Sequence, residues 1–183
     1  MSESEQREPP QRVRLEKLQE VHVPELVKLD HACSALYWEL GFDAAEVPTR
    51  THGDFYRLPK SNAVWVAEAD GTVAGFIAYH DEEPGVGFVE DVSVHPEFQR
   101  WGIGRRLMDR AVSELAHLGF SEVVLKVFER ASWATAFYGA LGFVEYRTEE
   151  APQKLREWRE SKLDTEDRPL LRPGQKLLWR KLT

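Results

Sequence analysis

One stretch restricts the fold of this chain more than any other. Residues 86–128 read as a strand, a glycine-punctuated turn, an amphipathic helix and a second strand. Val86–Val94 is rich in β-formers. Gly102–Leu118 carries Ile103, Leu107, Ala111 and Leu115 on one helical face, with Met108 and Val112 beside them, and Gly119 closes it. Glu122–Phe128 is a buried strand with Val-Val-Leu-Lys-Val-Phe at its heart. A strand that crosses through a helix and rejoins its own sheet pairs in parallel. The chain is thereby committed to a mixed α/β sheet.

The flanking segments add antiparallel strands. Val13–Glu16 alternates apolar and polar residues, and Pro24 suits the first turn of a helix. Leu26, Leu29, Cys33, Leu36, Tyr37 and Leu40 follow at helical spacing up to Gly41, which makes Cys33 a core residue rather than a nucleophile. Residues 42–60 fit either a short helix or a substrate-side loop. Ala63–Ala67 and Thr72–His80 flank Asp70-Gly71, a hairpin signal, and Pro84-Gly85 marks a second turn before Val86. Further on, Ser132 is placed to N-cap a helix through Leu141, which Gly142 ends, and Val144–Thr148 is a strand. Residues 149–174 form a charged insertion with a surface helix over Gln153–Leu163, Leu155 and Trp158 on one side, stopped by Pro169 and Pro173-Gly174. Lys176–Leu182 is the last strand. The expected whole is a single α/β domain over 12–183, mostly antiparallel, after a disordered polar tail at 1–11.

Composition narrows the partners. A length of 183 residues suits one domain, and 24 basic against 31 acidic residues give a net charge of −7. That balance argues against nucleic acid and anionic membrane. No apolar run approaches the ~18 residues of a membrane helix, and the first residues lack the apolar core of a secretory signal. Cys33 is the single cysteine, so no intrachain disulfide forms, and the six histidines show no metal-ligand spacing. The expectation is a metal-free cytoplasmic protein.

The turn after Val94 carries the chemistry. A helix that starts there offers free backbone N–H groups and the positive end of its dipole. Gly102 and Gly104 let a phosphate approach that backbone, and Arg100, Arg105 and Arg106 add positive charge against the overall acidity. A dinucleotide fingerprint is excluded because Leu107 replaces its third glycine, and a phosphate loop is excluded because the chain has no Gly-Lys-Ser/Thr.

Gln99-x-x-Gly102-x-Gly104, preceded by Val94-x-Pro96, resembles the acyl-CoA signature of the GNAT superfamily of N-acetyltransferases. Phe137-Tyr138-x-x-x-Gly142-Phe143, with Ala134 before it, resembles that superfamily's second marker. The resemblance covers roughly residues 12–150 and the last strand. It implies a sheet whose two central strands splay apart to admit acetyl-CoA as cosubstrate. The pyrophosphate would then lie on the backbone of Gln99, Arg100, Trp101, Gly102, Ile103, Gly104 and Arg105. The pantetheine arm would pair with the main chain of Val92, Ser93 and Val94. Arg100, Arg105 or Arg130 would meet the nucleotide phosphates. One departure stands out: Ala131 replaces the family's frequent Asn, leaving Ser132 as the substitute contact.

The chemistry follows from physical grounds. An alkyl ammonium has a pKa near ~10.4, so neutralising it at pH 7 costs roughly 4 kcal/mol and a base helps. The leaving CoA thiolate gains from a proton donor, and a phenol of pKa ~10 is protonated at neutral pH. Tyr138, in the second marker, is the candidate acid. Glu90 is the candidate base, since alternation in Val86–Val94 makes it the one charge on an apolar face and burial would raise its pKa. The Glu90-Asp91 pair also resembles the polyamine N-acetyltransferases, where the glutamate is the base. Trp38, Tyr37, Phe55 and Tyr56 fall where this fold places its acceptor wall, and Asp81-Glu82-Glu83 after His80 reads as a solvated acidic loop. Trp158 has two roles open to it, capping the acceptor cleft or forming a homodimer contact. The acceptor is a small-molecule or peptide amine. A non-catalytic acyl-CoA-binding module and a protein-directed acetyltransferase are the competing functions.

Overall fold

The computed structural model describes residues 8–60, 62–82, 85–162 and 170–182. Among these, β1 (Val13–Lys17) leads through a 3₁₀ turn (Glu20–His22) into α1 (Val23–Glu39) and α2 (His52–Arg57). Then come β2 (Ala63–Ala69), β3 (Thr72–Glu82), β4 (Val86–Val94), α3 (Ile103–His117) and β5 (Glu122–Phe128). The chain continues through α4 (Ser132–Gly139), β6 (Val144–Glu145), α5 (Gln153–Ser161) and β7 (Gln175–Lys181). The strands form one seven-stranded sheet in the order β1-β2-β3-β4-β5-β7-β6. The expected architecture is present: a four-strand run in chain order, then one parallel pair. Among the described residues no helix is long and apolar enough to cross a membrane.

Packing divides the chain into two compact units, and β3 and β4 pass from one to the other. The first holds Met1–Lys60, Val64–Ile77 and Val92–Leu107. Here β1 and β2 pair antiparallel from Val13↔Ala69 to Lys17↔Trp65. Asp70 and Gly71 both take positive φ (49° and 84°), the conformation a two-residue hairpin turn demands. On α1, Val23, Leu26 and Leu29 are buried, whereas Cys33 is half-buried and Leu40, at the C-cap, is exposed. The apolar stripe therefore does not reach the end of the helix.

The ambiguous segment 42–60 contains a short helix with a capping box. Thr51 Oγ1 accepts from the Asp54 N–H at 3.3 Å, while the Asp54 carboxylate accepts from the Thr51 N–H at 2.8 Å. The bond from the Thr51 N–H, with those from the Thr51 hydroxyl and the Arg57 guanidinium, holds the Asp54 carboxyl down to about 2. The preceding loop is tied to α1 by Asp30, which is buried and accepts from the Arg50 backbone at 2.7 Å and from its guanidinium at 2.8 Å.

The second unit holds Ser61–Ala63, Ala78–Asp91 and Met108–Thr183. In it β4 and β5 run parallel over Gly87↔Val123, Phe88↔Val124 and Val89↔Leu125. The pairing stops there, although β4 continues to Val94 and β5 to Phe128. On its other edge β5 pairs antiparallel with β7 along its whole length, from Glu122↔Lys181 to Phe128↔Gln175. Gly87 is required by close packing, since a Cβ there would lie 2.7 Å from Leu115 of α3.

Three sequence expectations are corrected in this unit. The helix expected on the 149–174 insertion is present as α5, but Trp158 is not available at a surface: it and Leu155 are fully buried with Val86, Phe88, Val124, Ala151 and Leu177. Their spacing of three residues is the inward stripe of a docked helix. A homodimer contact through Trp158 is thereby removed, because its side chain is spent inside the unit. Second, β6 is two residues long rather than reaching Thr148. After the Tyr146 N–H bonds to the Leu177 carbonyl, the chain turns, and the N–H groups of Glu150 and Ala151 both bond back to Arg147. Third, Ser132 is the first residue of α4 and not its cap; Ala131 occupies the cap without a side-chain bond and is itself fully buried, a place that suits a methyl group. The Pro84 half of the second turn, Glu83, Leu163 and Pro169 lie outside the described residues.

Candidate active site

In the first unit, β4 ends at Val94 and the chain turns through a 3₁₀ segment, Pro96–Phe98, into α3. Side chains of this turn are largely committed away from its backbone. Gln99 Nε2 donates back to the Val94 carbonyl at 3.1 Å, and Cys33 Sγ donates to the same oxygen at 3.3 Å. Trp101 packs edge-on against Phe98 at 6.0 Å, and Ile103 is buried in the core. Arg106 donates to the Val13 carbonyl at 2.9 Å, so this arginine ties α3 to β1 instead of adding a free charge at the turn.

The backbone itself takes an unusual course. Arg100 (φ 69°) and Gly102 (φ 76°) are both left-handed, and a Cβ built on Gly102 meets nothing within 4 Å. Alternating handedness of this kind turns successive N–H groups toward one side, the geometry of an anion-receiving nest. The turn therefore offers main-chain donors at a helix N-terminus with open space beside them.

In the second unit, Glu90 is exposed and has no hydrogen bond or ion pair among the described residues. The burial expected to tune it is absent. Both faces of β4 are buried only up to Val89, since Val86 and Phe88 pack toward α5 while Gly87 faces α3. Tyr138 is half-buried on the last turn of α4, with its ring edge-on to Phe137 at 5.1 Å and Phe143 at 5.9 Å. Its carbonyl accepts from the N–H groups of Leu141 and Phe143, and Arg180 donates to the Leu141 carbonyl at 2.9 Å. The turn that follows the helix thus fixes the base of the Tyr138 side chain. Ser132 is exposed at the start of the same helix.

The expected aromatic wall divides. Phe55 is fully buried, edge-on to Phe76 at 5.4 Å, and is core. Tyr56 is exposed, Trp38 donates its indole N–H to the Val47 carbonyl at 3.2 Å, and Tyr37 packs on Phe42.

Two charged features went unread in the sequence. Lys126, in the middle of β5, holds its ammonium 5.2 Å from the centre of the Phe88 ring. A lysine on the Val124 side of an otherwise apolar strand was the available signal. The acidic loop after His80 is also not a free solvated turn. His80 sits 2.8 Å from Asn62 Oδ1 through one ring nitrogen and 3.1 Å from Glu82 Oε1 through the other, and Lys162 pairs with Glu82.

The His80 bond, with Lys162 adding to it against the opposing effect of burial, holds the Glu82 carboxyl down to about 2. A carboxyl lowered in the fold stabilises it above the unfolded pKa and loses that contribution as pH falls toward the folded one. Wild type should therefore lose on the order of 3 kcal/mol between pH 4.5 and 2 that Glu82→Gln lacks, read from urea midpoints across that range. Parallel acid profiles for the two proteins would contradict this.

Among the described residues one group of metal-ligating side chains converges: Glu16, His22 and Glu68, their ligand atoms within 4.8 Å of one another. His22 Nδ1 accepts from the Gln19 N–H at 3.0 Å, which leaves the ring proton on Nε2, 3.1 Å from Glu16. This nitrogen is a donor, and the cluster is a hydrogen-bonded knot pinning β1 to the 3₁₀ turn.

The parallel central pair disengages after three residues, and a left-handed glycine turn leads from β4 into α3, the α/β arrangement expected of the strand–turn–helix–strand segment. A family model described as the acetyltransferase (GNAT) family matches residues 28–143, and the chain belongs to that family. Among curated proteins it is 31% identical over 85 residues to the L-amino acid N-acyltransferase MnaT of Escherichia coli, covering 44% of this chain and 49% of that one. It is 38% identical over 68 residues to a mycothiol acetyltransferase of Kocuria rhizophila, covering 37% and 22%. The chain spans about half, or less, of the length of these relatives. Among solved structures, an acetyltransferase from Streptococcus agalactiae superposes with a TM-score of 0.71 at 18% identity, covering 94% of this chain and 99% of that one. The PaiA N-acetyltransferase of Thermoplasma acidophilum, solved with coenzyme A, gives 0.70 at 16%, covering 93% and 99%. These structural likenesses concern the fold.

Proposed function

We propose that this protein is an N-acetyltransferase that moves an acetyl group from acetyl-CoA directly to a primary amine, carried by a small molecule or a peptide. The observation that carries this reading is the turn at Gln99–Arg105. Its backbone is left-handed at Arg100 and Gly102, a Cβ built on Gly102 meets nothing within 4 Å, and the side chains of Gln99, Trp101, Ile103 and Arg106 are engaged elsewhere. A diphosphate is the ligand such a turn receives. The continuation of β4 beyond its last parallel pair with β5, residues Val92–Val94, then receives the pantetheine arm as an added strand. Two side-chain donors already occupy the Val94 carbonyl, so the arm bonds to the rest of that main chain.

Glu90 accepts the ammonium proton, directly or through water. The neutral amine attacks the thioester carbon, the carbon–sulfur bond breaks, the thiolate leaves with a proton from Tyr138, and the proton shed by the new amide nitrogen returns through water to the phenolate. Ser132 and Arg130, at the start of α4, take the places nearest the missing Asn. That MnaT is an amino acid N-acyltransferase supports amine acylation here.

The test is calorimetric titration with acetyl-CoA, followed by free-thiol release across a panel of amines with mass detection of the acetylated product. Binding together with amine-dependent release supports the enzyme. Binding without turnover on any amine marks a non-catalytic module, and failure to bind refutes both. Because Glu90 is exposed, water can partly replace it. Glu90→Gln should lower kcat/KM by about ten-fold and move the acidic limb of its pH profile. An unmoved limb assigns the base elsewhere.

A further inference from the structure

Resting on the acetyl-transfer reading above, we propose that the acceptor carries a carboxylate beside its amine, and that Lys126 binds the carboxylate while Glu90 receives the ammonium. The in-register pair Phe88↔Val124 puts those two side chains on one face of the sheet. Strand alternation brings Glu90 and Lys126 to the same face one row further on, just past the last parallel pair, Val89↔Leu125. The position of the Lys126 ammonium over the Phe88 ring agrees with this.

Neither charge is neutralised. Among the described residues Glu90 has no ion pair, Lys126 has no carboxylate partner, and the two do not bridge each other. Glu90 and Lys126 lie just past the last parallel pair, and no bridge joins the two charges across that gap. Here the lysine lies on an aromatic face instead, which orients a cation without cancelling its charge. The pair of open charges is the complement of a zwitterion, whose own ammonium and carboxylate lie a few ångströms apart.

The same layer is short of acceptors. The indole N–H groups of Trp158 and Trp179 are buried without a partner, and Trp179 is in register with Val124 across β5 and β7. A polyamine would bring a second cation toward Lys126 and be repelled.

The test compares wild type, Lys126→Met and Lys126→Arg on three kinds of acceptor: the amino acids, the same compounds as carboxamides, and spermidine. Methionine keeps the apolar stem on Phe88 and removes the charge. Wild type should favour the amino acids by ten-fold or more in kcat/KM, the scale of one charge-assisted hydrogen bond. Lys126→Met should raise KM for the amino acid by about ten-fold with kcat changed by less than about three-fold, and leave KM for the amide and for acetyl-CoA unchanged. Arginine should restore most of the loss. Equal use of amides or spermidine, or a KM rise shared by both acceptor kinds, overturns the assignment while leaving acetyl transfer intact. Absence of thiol release with every acceptor, including amines without a carboxylate, overturns acetyl transfer and this proposal with it.

Discussion

Trp158→Ala is expected to destabilise the protein by about 3–5 kcal/mol, the range for emptying a large aromatic from a core. The indole is fully buried, its ring centre is 6.2 Å from that of Phe88, and Val86, Val124, Leu155 and Leu177 complete its surroundings. Helix α5 has few other means of attachment, because Leu155 and Trp158 are its buried residues. Domains of this size are stable by roughly 5–15 kcal/mol, so the loss is a large fraction of the total. Urea unfolding should show a lower midpoint at similar slope. Trp158→Phe should cost much less, since the indole N–H has no partner to lose and most of the volume remains. A cost below about 1 kcal/mol for the alanine variant would contradict the docking of α5 through this side chain.

The second large effect concerns chemistry. Tyr138→Phe should reduce kcat by ten-fold or more at neutral pH, within the 10²–10⁴ span of general acids at its upper reach, and leave KM for acetyl-CoA little changed. The ring keeps its place because Phe137 and Phe143 hold it edge-on and its carbonyl closes the turn after α4. Phenylalanine therefore keeps the ring and removes the hydroxyl. A kcat equal to wild type would take Tyr138 out of the acid role.

Local signals made much of this molecule legible in advance. Asp70-Gly71, Gly119 and Gly142 mark turns with positive φ because few other residues tolerate it. Val86–Val94 and Glu122–Phe128 have the predicted bounds, since both strands are apolar between clear breakers. The turn between β4 and α3 is marked in the sequence by its glycines and arginines, but the fate of each side chain is not. That Arg106 serves β1 while Gln99 returns to Val94 depends on tertiary placement.

Charge placement was the least legible. An isolated glutamate on an apolar strand predicts burial, yet Glu90 lies where the parallel pairing of β4 has already ended and solvent enters. Conversely, the run Asp81-Glu82 predicts a solvated turn, yet Glu82 is held by His80 and Lys162, the latter some eighty residues away in sequence. In the insertion the helix and its Leu155–Trp158 side are legible, but the depth of their burial is not. Its polar composition describes the outer face of α5, whereas two side chains decide that it docks.

The fate of the acetyl group tests the central claim most directly. Acetyl-CoA labelled in its acetyl carbon, mixed with enzyme and a competent amine, should yield one free CoA thiol and one labelled N-acetyl product for each molecule consumed, with no label on the protein at any time. Label retained on the protein, or CoA bound without thiol release in the presence of every amine, would contradict direct acetyl transfer by this chain.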